Sequence, residues 1–291
     1  MNVLDLVRTL RPTQWTKNLF VFAALVFAKQ ALSPPLLLRT AAAFAVFCLL
    51  SGALYIVNDL HDAAEDRLHP KKCRRPIAAG RISARRAVLL AAVFGLGSLA
   101  ASYALGLPFF AAAAAYALIQ LAYTFKLKHV VIIDIFVIAA GFVLRVAAGG
   151  LVIGVPLSSW LLICTTLLAL FVAMGKRRHE IVLLEGDAPG HRPILREYSP
   201  YLLDQMISVV TASTLVAYCL YTVSEETVRK FGTADLIFTM PFVLYGIFRY
   251  LYLVHQKGLG GSPEEIVIHD KPLAVSILLW IAAVGVILYL L

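Results

Sequence analysis

The chain has 291 residues, 60% of which are hydrophobic, and a mean hydropathy of +0.83. This composition excludes an ordinary soluble domain and indicates an integral membrane protein. The formal net charge of +9 is also typical of nucleic-acid-binding proteins. In a membrane protein, however, such an excess marks cytoplasmic loops and sites for anionic substrates or lipids, so we expect no nucleic-acid partner. The four cysteines form no CxxC pair, which argues against disulfides and a cysteine metal site.

Nine apolar segments are candidates for membrane-spanning helices, because one span needs about 20 apolar residues. They cover residues 18–34, 36–57, 86–104, 107–125, 132–153, 158–175, 204–223, 235–254 and 272–290. The first is the weakest, since Lys29 and Gln30 interrupt it. The predicted fold is therefore an all-α membrane protein of nine helices. It forms a single domain over residues 1–291, with polar loops at about 58–86 and 176–203.

The distribution of basic residues predicts the orientation of this bundle. Twenty of the 26 lysines and arginines lie in residues 1–17 or in the loops after the second, fourth, sixth and eighth segments. Cytoplasmic flanks of membrane helices collect such residues. The pattern predicts a cytoplasmic N-terminus and an extracytoplasmic C-terminus, with both long polar loops in the cytoplasm.

An acidic run follows the second apolar segment, where the membrane meets water. It contains Asn58, Asp59, Asp62 and Asp66. On a helix, positions 59, 62 and 66 share one face, and so do 58, 62 and 66. Oxygen ligands at this spacing suit Mg²⁺, which commonly bridges to substrate phosphates. The alternative is an acidic loop that merely faces water, but the spacing and the basic run that follows favour a metal–diphosphate site.

Basic and aromatic side chains near the acidic run are candidates for phosphate binding. Tyr55 lies one helical turn before Asn58, although interfacial tyrosines are also common. The bases could equally be anchors at the cytoplasmic surface; their position directly after the acids favours a donor site. They are Lys17, Arg67, Lys71, Lys72, Arg74 and Arg75, followed by a turn at Pro76-Ile-Ala-Ala-Gly80.

Two further groups of charged residues accompany later segments. Tyr123, Lys126 and Lys128 close the connection after the fourth segment, and Arg145 lies within the fifth. A charge inside a span is rare and suggests a function, with a structural pair as the alternative. Asp134 lies roughly 16 Å from Arg145 along a helix, too far to be its partner. The second group is a mixed set at the end of the sixth segment and beyond: Lys176, Arg177, Glu180 and Asp204.

Several stretches together resemble the UbiA superfamily of intramembrane transferases, and within it the decaprenyl-phosphate phosphoribosyltransferases. The NDxxDxxxD run from Asn58 is typical of the whole superfamily. The stretches that narrow the resemblance are Arg11-Pro-Thr-Gln-Trp-Thr-Lys-Asn18, Tyr55-Ile-Val-Asn-Asp59, Arg75-Pro-Ile-Ala-Ala-Gly80, the glycine-rich run from Gly141 to Gly150, Gly175-Lys-Arg-Arg-His-Glu180 and Tyr198-Ser-Pro.

The resemblance implies a Mg²⁺-dependent transfer of phosphoribosyl from 5-phosphoribosyl 1-diphosphate to a polyprenyl phosphate such as decaprenyl phosphate. The product would lead to a lipid-linked arabinose donor for cell-wall polysaccharide at the plasma membrane of a bacterium. It implies Mg²⁺ on Asn58, Asp59, Asp62 and Asp66, with the acids catalytic. The donor would contact Lys17, Tyr55, Arg67, Lys71, Lys72, Arg74, Arg75, Lys176 and Arg177. The lipid phosphate would contact Tyr123, Lys126, Lys128 and Arg145, with Glu180 and Asp204 as second-loop support.

One departure from the superfamily pattern separates the alternatives. Aromatic prenyltransferases usually carry a second acidic motif after the sixth helix, where this chain has Lys176-Arg-Arg-His-Glu180. Bases in place of acids argue against two metal clusters that grip a prenyl diphosphate. A prenyltransferase with an aromatic acceptor and a transporter with a charged cavity remain as alternatives, and the sequence is compatible with a homo-oligomer.

Overall fold

A computed structural model of the chain describes residues 3–68, 72–184, 193–259, 266–267 and 269–290. These residues form helices and connecting turns, without a strand. The α-helices are α1 (Val3–Thr9), α2 (Ala23–Phe27), α3 (Pro34–His61), α4 (Ala63–Leu68), α5 (Ala84–Leu105), α6 (Leu107–Phe125), α7 (Ile133–Ile153), α8 (Ser159–Leu184), α9 (Pro200–Val223), α10 (Glu225–Phe231), α11 (Met240–Gln256) and α12 (Lys271–Tyr289).

Two compact units make up the described chain, and each is treated by itself. The first contains residues 3–157 with the short stretch 193–194, and the second contains the described residues of 158–184 and from 195 onward. In the first unit, α3 packs against α5, α6 and α7, and the α5–α6 and α6–α7 pairs are adjacent. In the second unit, α8 packs on α9, and α11 contacts both α9 and α12.

The core of the first unit joins α3, α6 and α7 through aromatic and small side chains. Phe47 and Phe109 are fully buried, with ring centroids 5.9 Å apart, and Phe47 also packs on Tyr116 at 5.3 Å. Alanines from all three helices fill the space around these rings. Side chains this small let helices approach closely, which is how helices associate inside a bilayer. The same helix α3 that contributes Phe47 to this core carries the start of the acidic run at its C-terminal end.

Eight helical segments in the described part of the chain are long and apolar enough to cross a membrane. They correspond to the second to ninth segments expected from the sequence. The prediction of an α-helical span at residues 18–34 is wrong. That region instead forms a 3₁₀ helix over Pro12–Phe22 and then the short α2. After α2, the chain turns at Lys29, which has a positive φ of 55°. Helix α3 then begins with Pro34-Pro35.

The polar loop predicted at residues 176–203 begins later than the sequence suggested. Helix α8 continues to Leu184, so Lys176, Arg177 and Glu180 lie on a helix. Their charges interrupt the apolar pattern without ending the helix, since Lys, Arg and Glu are good helix formers. Similarly, α3 extends to His61 and α4 follows after Asp62, so the acidic run is almost wholly helical.

The 3₁₀ helix Pro12–Phe22 lies against α7 at two adjacent glycines. A side chain at Gly149 would overlap the backbone carbonyl of Val21, and one at Gly150 would meet Leu157. Val21 is fully buried in the same core as Ala148 and Val152. Glycine is required at position 149 because no other residue leaves room for the neighbouring backbone.

We therefore expect Gly149→Ala to lower the free energy of unfolding by about 2 kcal/mol, because the added methyl must push the 3₁₀ helix away from α7. Thermal unfolding of purified protein in detergent measures this. Gly97→Ala is the matched control, since nothing lies within 4 Å of a Cβ at that position of α5. Equal effects of the two substitutions would contradict the close approach.

Candidate active site

The acidic run lies at the junction of α3 and α4, and its aspartates point inward. Asp59, Asp62 and Asp66 are 2%, 8% and 3% exposed, whereas His61 and Glu65 on the other face are exposed. Helical hydrogen bonds continue across the junction, from the Asp62 N–H to the Asn58 carbonyl and from the Asp66 N–H to the Asp62 carbonyl. The chain therefore keeps the three carboxylates on one buried face.

Two of these carboxylates share a guanidinium. Nη1 of Arg75 lies 2.5 Å from Oδ2 of Asp66 and 3.1 Å from Oδ1 of Asp59. Asp59 also accepts a hydrogen bond from Arg11. Arg11 and Arg75 are partly open to solvent, with side chains 21% and 25% exposed. Buried carboxylates need such partners, since an isolated buried charge is costly.

The third carboxylate has a lysine as its partner. Nζ of Lys128 donates to Oδ1 of Asp62 at 2.5 Å, and both side chains are almost fully buried. Nδ1 of His61 lies 2.9 Å from the same oxygen, and the Asn58 amide donates to Oδ2 at 3.1 Å. The short 3₁₀ turn Leu127–His129 after α6 positions Lys128 beneath the end of α3. Asp62 is therefore held by groups from α3 and from the turn that follows α6.

Local chain geometry places the two arginines. Arg11 has a left-handed backbone (φ 51°, ψ 64°) just before the 3₁₀ helix, and its guanidinium stacks on the Tyr55 ring with 4.8 Å to the centroid. A non-glycine residue in this conformation is uncommon and needs support from its surroundings. The Trp15 indole supplies some, by donating to the Leu10 carbonyl at 3.2 Å. Tyr55 thus orients a cation beside the acidic run.

Arg75 begins a tight turn whose apolar side chains are buried in a hydrophobic cluster. The Ala79 N–H donates to the Arg75 carbonyl at 2.8 Å, and Gly80 has a φ of 73°. Ile77 and Ile82 of this turn are buried and pack with Ile56 and Leu10. The turn therefore fixes the backbone of Arg75, and the long side chain of Arg75 reaches Asp59 and Asp66.

The donor atoms of this cluster suit a hard divalent cation, because such ions prefer carboxylate and amide oxygens. Among the described residues, however, no three His, Cys, Asp or Glu side chains converge as a ready set of ligands. The carboxylates instead face Arg11, Arg75 and Lys128. The oxygen atoms of these residues are of the type that binds a divalent metal. In this arrangement, the negative charges of the carboxylates are balanced by the protein's own cations.

Two other bases predicted to contact a donor make hydrogen bonds to groups outside the acidic run. The Arg67 guanidinium donates to the Ala78 carbonyl at 3.3 Å, and the Lys17 ammonium donates to Gln14 at 2.5 Å. Arg74 is exposed and Lys72 is half-buried. Lys71 lies outside the described residues. Of the predicted donor-binding residues that the structure describes in this unit, Arg75 contacts the acids directly, and Tyr55 contacts Arg11 beside them.

The residues predicted to contact a lipid phosphate are placed in three different environments. Lys128 binds Asp62, Lys126 is exposed, and Tyr123 is half-buried. Arg145 is 4% exposed and donates to Asn18 at 2.7 Å, Tyr116 at 2.7 Å and the Gly141 carbonyl at 2.9 Å. Its guanidinium also stacks on the Tyr116 ring.

These contacts bind the 3₁₀ helix, α6 and α7 together around one buried charge. Within the described residues, no ion pair involves Arg145; its contacts are with neutral groups. Neutral oxygens and a ring face can solvate a guanidinium in a membrane interior. Gly141 leaves the space for this arrangement, because a Cβ there would lie 3.0 Å from the Gln120 amide and 3.4 Å from Arg145.

In the second unit, the mixed set around the end of α8 forms ion pairs. Arg177 pairs with Glu180 at 2.6 Å, and Arg178 binds Asp204 at the start of α9 at 2.5 Å. His255 of α11 lies 3.8 Å from the same Asp204 carboxylate. Lys176 is half-buried on α8. Asp204 therefore connects the ends of three helices of the unit.

A further pair in this unit fixes the start of α12. Arg249 makes two hydrogen bonds to Asp270, at 2.8 and 3.1 Å, and Asp270 also accepts the Leu273 N–H. The hydrogen bond from Arg249 holds the pKa of the Asp270 carboxyl below its usual range. The stabilisation from this pair is thus present above the ordinary pKa of an aspartate and is lost as the pH falls through the lowered value.

Four residues of the site were not predicted from the sequence. Arg11 and His61 touch the acidic cluster, and Asn18 and Tyr116 bind Arg145. Arg11 and Asn18 belong to a stretch that carries the family resemblance, which was the available signal. His61 stands inside the acidic run itself. Tyr116 is one of many aromatics in apolar segments, so nothing in the sequence distinguishes it.

Comparisons with known proteins show the family and the fold of the chain. Residues 18–263 match the model of the UbiA prenyltransferase family. The chain is 34% identical over 298 residues to a decaprenyl-phosphate phosphoribosyltransferase of Mycolicibacterium smegmatis, covering 99% of this chain and 93% of the relative. It is 35% identical to the Corynebacterium glutamicum protein of the same name, covering 99% and 88%. A solved UbiA homolog from Archaeoglobus fulgidus, bound to GPP and Mg²⁺, has a TM-score of 0.74 at 20% identity, covering 98% of this chain and 99% of the homolog.

Lys128→Met tests whether the buried lysine holds Asp62. We expect the free energy of unfolding to fall by about 3 kcal/mol, because the substitution leaves a buried carboxylate without its cation. Lys126→Met is the matched control, since that lysine is exposed. The double variant Lys128→Met/Asp62→Asn should recover part of the loss. Thermal unfolding in detergent provides the measurement, and no recovery in the double variant would show that the two groups are not coupled.

Proposed function

The chain belongs to the UbiA prenyltransferase family, and from this premise we propose that it transfers a 5-phosphoribosyl group to a polyprenyl phosphate. The donor is 5-phosphoribosyl 1-diphosphate, and the acceptor is decaprenyl phosphate or a close analogue. The observation that carries this proposal is the 34–35% identity, over 99% of the chain, to two proteins named decaprenyl-phosphate phosphoribosyltransferase. The similarity extends over the chain as a whole, so the compared region spans both the acidic run and the bases on α8.

The reaction replaces one bond at the anomeric carbon of the donor. An oxygen of the polyprenyl phosphate attacks C1 of the ribose, the bond from C1 to the diphosphate oxygen breaks, and diphosphate leaves. The product is a polyprenyl-phosphoryl ribose 5-phosphate, a precursor suited to a lipid-linked pentose donor for cell-wall polysaccharide. Positive charge develops at C1 during the exchange, as in other glycosyl transfers. The acceptor is already an anion, so the reaction requires no strong general base.

The main demand on the protein is to stabilise the leaving diphosphate. In our proposal, Asn58, Asp59, Asp62 and Asp66 hold Mg²⁺, which when bound neutralises negative charge on that group. The burial of the three aspartates and their shared face support this assignment. Arg11 and Arg75 are the nearest partly exposed bases and would contact the diphosphate directly. Lys17, Arg67, Lys71, Lys72 and Arg74 form a wider basic border that attracts the anionic donor.

Lys128 takes a different role from the one first expected. Because it is buried against Asp62, we assign it to holding that carboxylate in position rather than to gripping the lipid phosphate. Tyr123 and Lys126 remain the proposed contacts of the lipid phosphate. Arg145 is enclosed by Asn18 and Tyr116, so we assign it, like Lys128, to holding its neighbours in position. Lys176 and Arg177 remain proposed donor contacts. We infer a supporting role for Glu180 and Asp204, which pair with Arg177 and Arg178 respectively.

The bases on α8 favour a phosphorylated sugar donor over a prenyl diphosphate. Where aromatic prenyltransferases carry acids for a second metal, this chain presents Lys176, Arg177 and Arg178. Arginine and lysine recognise phosphate directly, without a bridging metal. 5-Phosphoribosyl 1-diphosphate carries a separate 5-phosphate that such bases can bind, whereas a prenyl diphosphate carries no phosphate besides its diphosphate.

We also propose that the site faces the cytoplasm, where a soluble sugar diphosphate is available. The concentration of bases in alternate loops supports this orientation. With a cytoplasmic N-terminus, eight crossings would leave the C-terminus inside, and nine would leave it outside. A 3₁₀ helix of eleven residues followed by five α-helical residues is about 30 Å long, close to the thickness of the hydrocarbon core. Residues 12–27 are therefore long enough to make a ninth crossing.

Asp62→Asn should reduce transfer of labelled phosphoribosyl into membrane lipid by about a hundredfold or more, because an amide cannot supply the lost negative ligand. The assay incubates isolated membranes with labelled 5-phosphoribosyl 1-diphosphate and added decaprenyl phosphate, then extracts the lipid. Asp235→Asn is the control, since among the described residues its side chain bonds locally to Thr233; it should retain activity within a factor of about two.

The same assay separates the proposed reaction from its competitors. A wild-type protein that incorporates no label with any polyprenyl phosphate would refute the proposal. Transfer from a prenyl diphosphate to an aromatic acceptor would identify a prenyltransferase instead. Movement of substrate across sealed vesicles without chemical conversion would identify a transporter.

A reporter fused after Leu291 tests the orientation. We expect an extracytoplasmic signal, because the basic loops fix the N-terminus inside and residues 12–27 complete a ninth crossing. A matched fusion in the basic loop after α4 should give a cytoplasmic signal. A cytoplasmic signal from both fusions would mean that residues 12–27 do not cross the membrane.

A further inference from the structure

The acidic cluster is electrically balanced by the protein's own side chains. Its three buried carboxylates, Asp59, Asp62 and Asp66, face three cations, Arg11, Arg75 and Lys128. Taken by themselves, these six described side chains carry no surplus positive charge with which to attract an anion. Each carboxylate that a metal would use already carries an ion pair.

We propose that Arg11 and Arg75 are exchangeable counter-ions, which a divalent cation displaces from the carboxylates and which then bind the diphosphate of the donor. This inference rests on the proposed function for the identity of the donor. In one reaction cycle, each arginine would thus pair first with the carboxylates and then with the diphosphate. The anion site would form only after the metal is bound.

The exposure of the three cations indicates which of them exchange. The Arg11 and Arg75 side chains are 21% and 25% exposed, whereas Lys128 is 5% exposed. The arginines therefore have solvent on one side and room to move, while Lys128 is enclosed. Arg75 bridges Asp59 and Asp66, so its nitrogen occupies the space between two carboxylates that one cation would share.

Each arginine also has support that does not depend on the acids. The Arg11 guanidinium stacks on the Tyr55 ring, a contact that it can keep while its N–H groups turn toward a phosphate. The backbone of Arg75 is fixed by the buried turn at Ile77 and Ile82. Displacement therefore requires a rotation of side chains, without a change in the helices.

Charge arithmetic then links the metal to the donor. Three carboxylates and three cations sum to zero, so a bound divalent cation leaves the cluster at about +2, which favours an anion such as diphosphate. Without the metal, the diphosphate would have to compete with the aspartates for the same guanidinium groups. The exchange therefore predicts ordered binding, with the metal before the donor.

The test measures binding rather than turnover, with Mn²⁺ and inorganic diphosphate as probes on purified full-length protein. Free Mn²⁺ is followed by electron paramagnetic resonance, and diphosphate binding is followed by calorimetry with and without saturating Mn²⁺. Arg75→Gln and Arg11→Gln should each bind Mn²⁺ about tenfold more tightly than the wild type, because the internal competitor is gone. At saturating Mn²⁺, each should bind diphosphate about tenfold more weakly, which corresponds to the loss of one charge-assisted hydrogen bond.

Two controls keep this result interpretable. Arg81→Gln lies in the same loop, but Arg81 pairs with Asp5 rather than with the cluster, so both affinities should stay at the wild-type values. Should Arg75→Gln fail to fold, Arg11→Gln still tests the exchange, because Asp59 then retains Arg75 as a partner.

Opposite changes in the two affinities support the exchange, since a purely structural arginine would weaken both. Equal or weaker Mn²⁺ binding in both variants would overturn it, and so would tight diphosphate binding by the wild type in the absence of metal. The outcome is separate from that of the transfer assay. Protein that shows the exchange but no phosphoribosyl transfer would refute the proposed function alone, and active protein without the exchange would refute this inference alone.

Discussion

The bridge from Arg75 to Asp59 and Asp66 is the interaction on which the architecture of the site depends. It joins the end of α3, the start of α4 and the turn before α5 through a single guanidinium. Two ionised carboxylates that are buried close together need a compensating positive charge, because their repulsion adds to the cost of leaving water. Arg11 adds a second cation to Asp59 and brings the N-terminal segment to the same point. Four separate parts of the first unit are thus held by one charge cluster.

A pair of constraints inside the apolar region makes that cluster possible. The first is the close contact of the 3₁₀ helix with α7, which requires glycine at position 149. The second is the enclosure of Arg145 by Asn18, Tyr116 and the Gly141 carbonyl. Together they fix the N-terminal segment against the bundle, and this segment carries Arg11 to the acidic run. Packing in the membrane core therefore determines the electrostatics at its surface.

The balance of charge in the cluster also connects structure with chemistry. A site that handles a diphosphate needs strong positive charge, yet the protein must remain folded when no substrate is bound. In the exchange that we propose, buried acids paired with partly exposed arginines meet both needs, because each ion pair stabilises the fold and each arginine can turn toward a phosphate. Arginine suits this position better than lysine, since its planar group can contact two carboxylates or one phosphate with equal ease. The enclosed Lys128 then maintains Asp62 in one place throughout.

The amino-acid sequence by itself determined the membrane character, the helical class, eight of the helices and the acidic run, because these depend on local hydropathy and on short spacing along one helix. Its motifs also determined the family. Only the tertiary structure decided which bases reach the acids. Arg11 is 48 residues from Asp59, and Lys128 is 66 residues from Asp62. It also showed that residues 12–22 form a 3₁₀ helix rather than the start of an α-helical span. Such outcomes follow from close packing and from the pairing of buried charges between distant segments, and neither leaves a periodic signal in the sequence.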